Sequence, residues 1–160
     1  MRHTRREVIE RTRREFAKLD RVVTRLRPAD RKRRAPRPPA RDPWTVKDAL
    51  VHIVYWKEHT ARVIRGERRL PEMRGLDVNQ INRLVYLCWR RRRPLALMRW
   101  HRRVHLDVLK TLARNPSAWF SGRPRSPAWP LDFDGHSAAH RTRDIEAALP
   151  RERVSGRRPR

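Results

Sequence analysis

The sequence contains one cysteine, Cys88, and no long apolar segment. A single thiol excludes an intramolecular disulfide framework and a cysteine-rich zinc site. A membrane-spanning helix needs roughly 18 consecutive apolar residues, and the apolar runs here are only a few residues long. No apolar segment follows the basic N-terminus, as a secretory signal would require. We therefore expect a cytoplasmic protein without a membrane partner.

Acidic residues are scarce as well. The 17 Asp and Glu stand against 42 Lys and Arg, which gives a net charge of +25. The charge forms blocks, since residues 83–103 carry eight Arg and no acid, and residues 1–42 carry a net charge of +10. Such charge favours weak, salt-sensitive, non-specific binding of DNA or RNA. Trp89 and Trp100 flank the Arg90–Arg93 run, where their rings either stack on bases or pack in the core.

Several catalytic motifs are absent from the sequence. We find no glycine-rich phosphate loop, no G-x-S-x-G turn and no outstanding pair of carboxylates. Cys88 lies between Leu87 and Trp89 in an apolar helical context, which predicts a buried, inert thiol rather than a nucleophile.

Strand-like alternation and internal repeats are missing too, whereas apolar residues recur every three or four positions in four segments. This spacing predicts amphipathic helices at about residues 5–27, 45–66, 77–114 and 135–149. The first three open on capping boxes, formed by Thr4 with Glu7, Thr45 with Asp48 and Asp77 with Gln80. Pro94 either kinks the third helix or restarts it.

Proline-rich segments separate these helices. Residues 27–43 carry five Pro and no large aliphatic residue, which predicts a linker at about 28–43 without a packed face. Residues 115–134 predict a long connection, and residues 150–160 predict a flexible basic tail. We therefore expect a single all-α domain over residues 1–149, folded as a four-helix bundle.

Four of the seven histidines form two pairs with i,i+4 spacing, His101 with His105 and His136 with His140. This spacing places both imidazoles of a pair on one helix face, where they can bind a metal ion if a third ligand comes from another helix. Arginines surround the first pair, and their charge would repel a bound cation. The favoured interpretation is that these two histidines are polar side chains that fill a seam between helices. The second pair lies near Asp134 and Asp144 and is the better ligand candidate.

Three segments carry a resemblance to a known family. Residues 44–56, WTVKDALVHIVYW, resemble the W-[ST]-V-K-D-x-L-x-H-[IL]-x-x-W signature of the DinB-like superfamily. Residues 78–86, VNQINRLVY, resemble its helix-three N-x-x-x-Y segment, and residues 135–145 resemble its closing H-x-x-x-H-x-x-x-I segment. Within the superfamily, the ClbS/DfsB-type four-helix bundle proteins are the most similar. The resemblance runs in order from about Arg5 to Leu149.

The resemblance implies a divalent-metal site formed by His52, His136 and His140. The stripe of Ala49 and Trp56 independently places His52 towards a helix seam. Imidazole ligands suit zinc, nickel and iron alike. The resemblance also implies a metal-dependent hydrolase or thiol-dependent transferase, with a role in detoxification or genotoxin protection, a small-molecule substrate and a homodimer. The alternative is a basic nucleic-acid-binding bundle without catalysis.

Metal-ligating histidines need outer hydrogen-bond partners, and three polar residues lie near the appropriate faces. Asp48 has helix capping as its favoured role. Asn82 either lines a pocket or bridges inside the bundle, while Asp144 follows His140 by one turn. Asn82 and Tyr86 are also candidate catalytic groups, although packing in the core is the favoured role for Tyr86.

Overall fold

The structure is a computed structural model that describes residues 3–38, 41–67, 70–120 and 133–150. The predicted tail beyond residue 150 and residues 121–132 of the predicted connection lie outside the described residues. The described chain is mostly helical and has no strand, which confirms the all-α class. The helices are α1 Arg5–Thr24, α2 Pro28–Arg31, α3 Val46–Ile64, α4 Val78–Trp89, α5 Pro94–Arg114, α6 Ser117–Phe120 and α7 Gly135–His140. None of the helices in these ranges has the length and apolar character needed to cross a membrane.

All three predicted capping boxes are present. At α1, α3 and α4 the N-cap side chain accepts a hydrogen bond from the backbone three residues later, and the acidic or amide side chain at that position accepts one in return. Each box satisfies backbone N–H groups that the first turn leaves unpaired. The starts of these three helices are therefore set by local sequence.

Pro94 restarts the helix rather than kinking it. Helix α4 ends at Trp89, and α5 begins at Pro94, which occupies the first turn, where its missing N–H has no helical role. Lys47 of α3 holds the intervening turn, because its Nζ donates to the carbonyl oxygens of Arg90 at 2.6 Å and Arg92 at 3.1 Å. The four arginines of this turn are exposed.

The C-terminal helix changes its winding after His140. A wider π-helical turn spans Arg141–Ile145, and a 3₁₀ turn follows at Glu146–Ala148. The predicted extent of about 135–149 is therefore helical, but only its first six residues are α-helical. Such π turns are frequent at functional sites.

The prediction that residues 28–43 lack a packed face was wrong. Ala35 is buried, and its N–H donates to the carbonyl oxygen of Trp44 at 2.9 Å. The N–H of Val46 donates to the carbonyl oxygen of Arg33 at the same distance. This short antiparallel pairing ties the segment to the start of α3. Backbone hydrogen bonds and the Trp44 ring replace the aliphatic residues that the segment lacks.

Helix α3 is the centre of the fold. It packs against α4, α5, α7 and the π turn, while α1 packs against α5 and α7. Its buried residues lie around most of its circumference, from Val46 to Ala61. A helix that is covered on most sides can present side chains to several neighbours at once.

His101 and His105 of α5 lie in the seam with α1. Their rings stack on Phe16 with centroids 4.7 Å and 3.6 Å away. Burial, and then the positive charge of nearby Lys57, lowers the pKa of His101 to about 3 and that of His105 to about 4. Both rings are therefore neutral fillers of a helix seam, which is the favoured sequence interpretation.

These two histidines predict a loss of stability in acid. Their folded-state pKa values lie below the ordinary value of 6.5, so the unfolded chain binds more protons as the pH falls. Over roughly pH 6 to 4.5, each histidine should reduce the free energy of unfolding by up to about 1.4 kcal/mol per pH unit. Urea denaturation across this range measures the slope. His101→Gln combined with His105→Gln should flatten it, and equal slopes in both proteins would contradict the assignment.

Candidate metal centre

Helices α3 and α7 bring three histidines together. His52 lies in the second turn of α3 and is only 7% exposed. His136 and His140 lie one turn apart on α7, which packs against α3. The small residues Ser137, Ala138 and Ala139 separate the pair.

The three rings converge on one point. Ring centroids are 4.3 Å apart for His52 and His140, 4.5 Å for His136 and His140, and 5.1 Å for His52 and His136. One candidate ligand nitrogen from each ring lies within 4.8 Å of the other two. These residues form the one such group of three or more potential ligands within the described ranges.

The separation of two ring nitrogens fits a shared metal ion. Nε2 of His52 and Nε2 of His140 are 3.1 Å apart. Two nitrogens bound to one zinc ion at about 2.0–2.1 Å lie about 3.3 Å apart in a tetrahedral arrangement. Three imidazoles without a protein-derived fourth ligand leave coordination positions open, as in catalytic sites. The residues therefore fit a divalent ion.

The environment keeps His52 in the form that binds metals. Burial lowers the pKa of His52 to about 2, helped by repulsion from His140, His136 and the guanidinium of Arg37. A metal ion binds the neutral imidazole through its lone pair. His52 is therefore uncharged at neutral pH.

Asp144 is the outer partner of His140. Its Oδ2 lies 2.5 Å from Nδ1 of His140, so this ring nitrogen carries the proton and Nε2 is directed into the centre. Arg143 donates to both carboxylate oxygens, at 2.8 Å and 3.0 Å. Burial alone raises the pKa of Asp144, but these hydrogen bonds and charges outweigh it and lower the pKa well below its usual range. Asp144 is therefore ionised and fixes the His140 tautomer.

The other polar candidates from the sequence lie outside this arrangement. Asp48 accepts from the N–H and the hydroxyl of Thr45 at 2.9 Å and 2.7 Å, as its capping role requires. Asn82 accepts from Nε1 of Trp56 at 2.9 Å, and the Trp56 ring stands edge-on to His52 with centroids 6.3 Å apart. Asn82 thus holds a neighbour of the centre rather than a ligand.

Tyr86 packs against the core. The ring is partly buried and packs against the hydrophobic core. The guanidinium carbon of Arg83 lies 5.8 Å from its centroid. The structure therefore gives Tyr86 the packing role that the sequence favours.

Sequence reasoning missed two neighbours of the centre. The Trp44 ring tilts against His52 with centroids 4.8 Å apart, and the guanidinium carbon of Arg37 lies 3.5 Å from the centroid of the Trp44 ring. Trp44 belongs to the family-like motif, but its position in that motif does not predict its contact with His52. No periodic pattern marks Arg37, because it reaches the centre through the fold of the connection.

A separate cavity of about 700 Å³ lies between α3, α4 and α5. Trp89 and Trp100 stack on each other there, with centroids 4.2 Å apart, and Nε1 of the buried Trp100 donates to Glu58 at 2.9 Å. Cys88 lines this cavity and is exposed, so the prediction of a buried thiol was wrong. The residue occupies the open side of α4, where apolar sequence neighbours do not cover it.

Comparison of the chain with protein-family models, with curated proteins and with solved structures gave no match.

Substitutions of Asp144 and Asp48 distinguish the hydrogen-bond partner of a proposed metal ligand from a residue that caps a helix. Asp144→Asn removes the charge that orients His140 and should weaken zinc binding about 10-fold or more. Asp48→Ala removes the capping box of α3 and should lower the free energy of unfolding by about 1 kcal/mol, with zinc affinity unchanged. Calorimetric zinc titration and urea denaturation measure the two effects. Unchanged affinity in Asp144→Asn, or weakened affinity in Asp48→Ala, would contradict these roles.

Proposed function

We propose that the protein is a metal-dependent enzyme of the DinB-like, ClbS/DfsB type, in which His52, His136 and His140 bind a divalent ion. Its reaction is hydrolysis or thiol-dependent transfer on a small molecule, with detoxification or genotoxin protection as the biological context that the resemblance implies. The observation that carries the proposal is the meeting of His52 with His140 from positions 88 residues apart. The spacing of residues along a single helix cannot bring two such distant positions together, so this contact depends on the packing of two helices.

The arrangement of the helices supports a four-helix bundle as the scaffold. The four long segments are α1, α3, the interrupted pair α4 and α5, and the helical stretch that starts with α7. Helix α3 packs against α4, α5 and α7, and α1 packs against α5 and α7. Bundles commonly hold metal sites in their core, with ligands from facing helices.

The side chains around the centre orient the histidines and exclude water. Asp144 keeps the proton on Nδ1 of His140, and Trp44 covers one side of His52. Asn82 fixes the indole of Trp56 at the edge of His52. When bound, a zinc, nickel or iron ion would supply Lewis acidity for a water, thiol or carbonyl group.

The alternative function, a nucleic-acid-binding bundle, has support from charge but little from the aromatic residues. The net charge of +25 and the exposed turn of Arg90–Arg93 favour non-specific phosphate contacts. Trp100, however, is 7% exposed and engaged with Trp89 and Glu58. Base stacking by this ring would require the core to open.

Elemental analysis of the untagged protein tests the proposal. We expect about one divalent ion per chain, bound as purified or after incubation with Zn²⁺ or Ni²⁺. The His52→Ala, His136→Ala and His140→Ala triple variant should lose it while circular dichroism shows retained helix content.

The matched control is the His101→Gln and His105→Gln variant, which removes a histidine pair of the same spacing from α5. It should keep the metal. Absence of metal in the wild type after incubation, or equal loss in both variants, would contradict the proposal.

A further inference from the structure

Arg37 lies one aromatic ring away from the three histidines. Its guanidinium carbon is 3.5 Å from the Trp44 ring centroid, and the Trp44 ring contacts His52 at 4.8 Å between centroids. The positive charge of Arg37 contributes to the lowered pKa of His52, and Asp144 partly offsets the lowering of the pKa of Arg37. The backbone pairing of Ala35 with Trp44 holds this part of the connection against α3.

One nitrogen of this guanidinium lacks an acceptor within the described part of the chain. Nη1 of Arg37 is buried and has no hydrogen-bond partner among the described residues. Asp144 is the carboxylate that acts on it, but the oxygens of Asp144 are already engaged by His140 and Arg143. A buried charged donor without an acceptor lowers the stability of a fold. Such a group indicates a missing acceptor, which a ligand can provide.

The surrounding charge points to the sign of that ligand. Burial lowers the pKa of Arg37, and repulsion from Arg41 and Arg143 lowers it further against the opposing effect of Asp144. The side chain of Arg41 donates a hydrogen bond to the neutral amide group of Asn79. Near Arg37, the positive charges of Arg41 and Arg143 thus outnumber the negative charge of Asp144. A divalent cation would add to the positive charge, and an anion beside it would balance that charge.

We propose that Arg37 binds an anionic oxygen group of the substrate, a phosphate or a carboxylate, at the three-histidine centre. The inference rests on the proposed function, since it assigns a substrate class to the same site. The planar guanidinium suits such a group because its N–H donors match paired oxygens. Stacking on Trp44 fixes the guanidinium plane.

Inorganic phosphate and acetate are the probes for the test. Wild type, Arg37→Gln and Arg37→Lys are loaded with Co²⁺, freed of excess ion by desalting and titrated with each anion while the visible absorption of Co²⁺ is recorded. Arg34→Gln is the matched control, because Arg34 is an exposed arginine of the same segment. Circular dichroism verifies that each variant is folded.

We expect all four proteins to bind Co²⁺ with equal stoichiometry and at least one anion to change the wild-type spectrum. Its dissociation constant should rise about 10-fold or more in Arg37→Gln, rise less in Arg37→Lys and stay unchanged in Arg34→Gln. The stronger of the two anions identifies phosphate or carboxylate as the preferred group.

Two failures are distinguishable. If Co²⁺ binds but the anion affinity is the same in wild type, Arg37→Gln and Arg37→Lys, the inference is overturned and the metal centre stands. Co²⁺ binding with no response to either anion has the same meaning. If the wild type binds no Co²⁺, the proposed function fails and this inference fails with it.

Discussion

The packing of α7 against α3 places three imidazole rings in one partly enclosed space, where the buried His52 is uncharged. Burial disfavours the charged form of His52, and each neighbouring ring would repel a proton on it. The same packing brings one ring nitrogen of each histidine within 4.8 Å of the other two. The close packing of the three rings thus accounts both for the burial of His52 and for the grouping of ring nitrogens that could bind a cation.

Asp144 and Arg143 extend this constraint to the next layer. The carboxylate is buried at 1% exposure, and its hydrogen bonds to His140 and Arg143 keep it ionised. These contacts involve the π turn that follows α7 directly. Within this turn Asp144 is buried, while Arg143 remains largely exposed. The residues that orient a proposed ligand therefore come from the turn directly after α7.

Local signals in the sequence predicted the helices, whereas tertiary contacts determined what it missed. Capping boxes and apolar periodicity locate α1, α3 and α4 because both act within a few residues. The i,i+4 spacing identified His136 and His140, but His52 needed the family resemblance in addition to its position on a helix stripe. Arg37 reaches the site through backbone pairing and stacking on Trp44, and neither leaves a periodic trace. The sequence places Asn82 near the site, but its side chain accepts a hydrogen bond from Trp56 rather than from one of the three histidines.

Anomalous X-ray diffraction from crystals of the zinc-loaded protein tests the central claim most directly. The account predicts one strong zinc peak at about 2.0–2.1 Å from a nitrogen of each of His52, His136 and His140, with further coordination positions open to solvent. Zinc found only at surface histidines, or no peak in the space between α3 and α7, would contradict it.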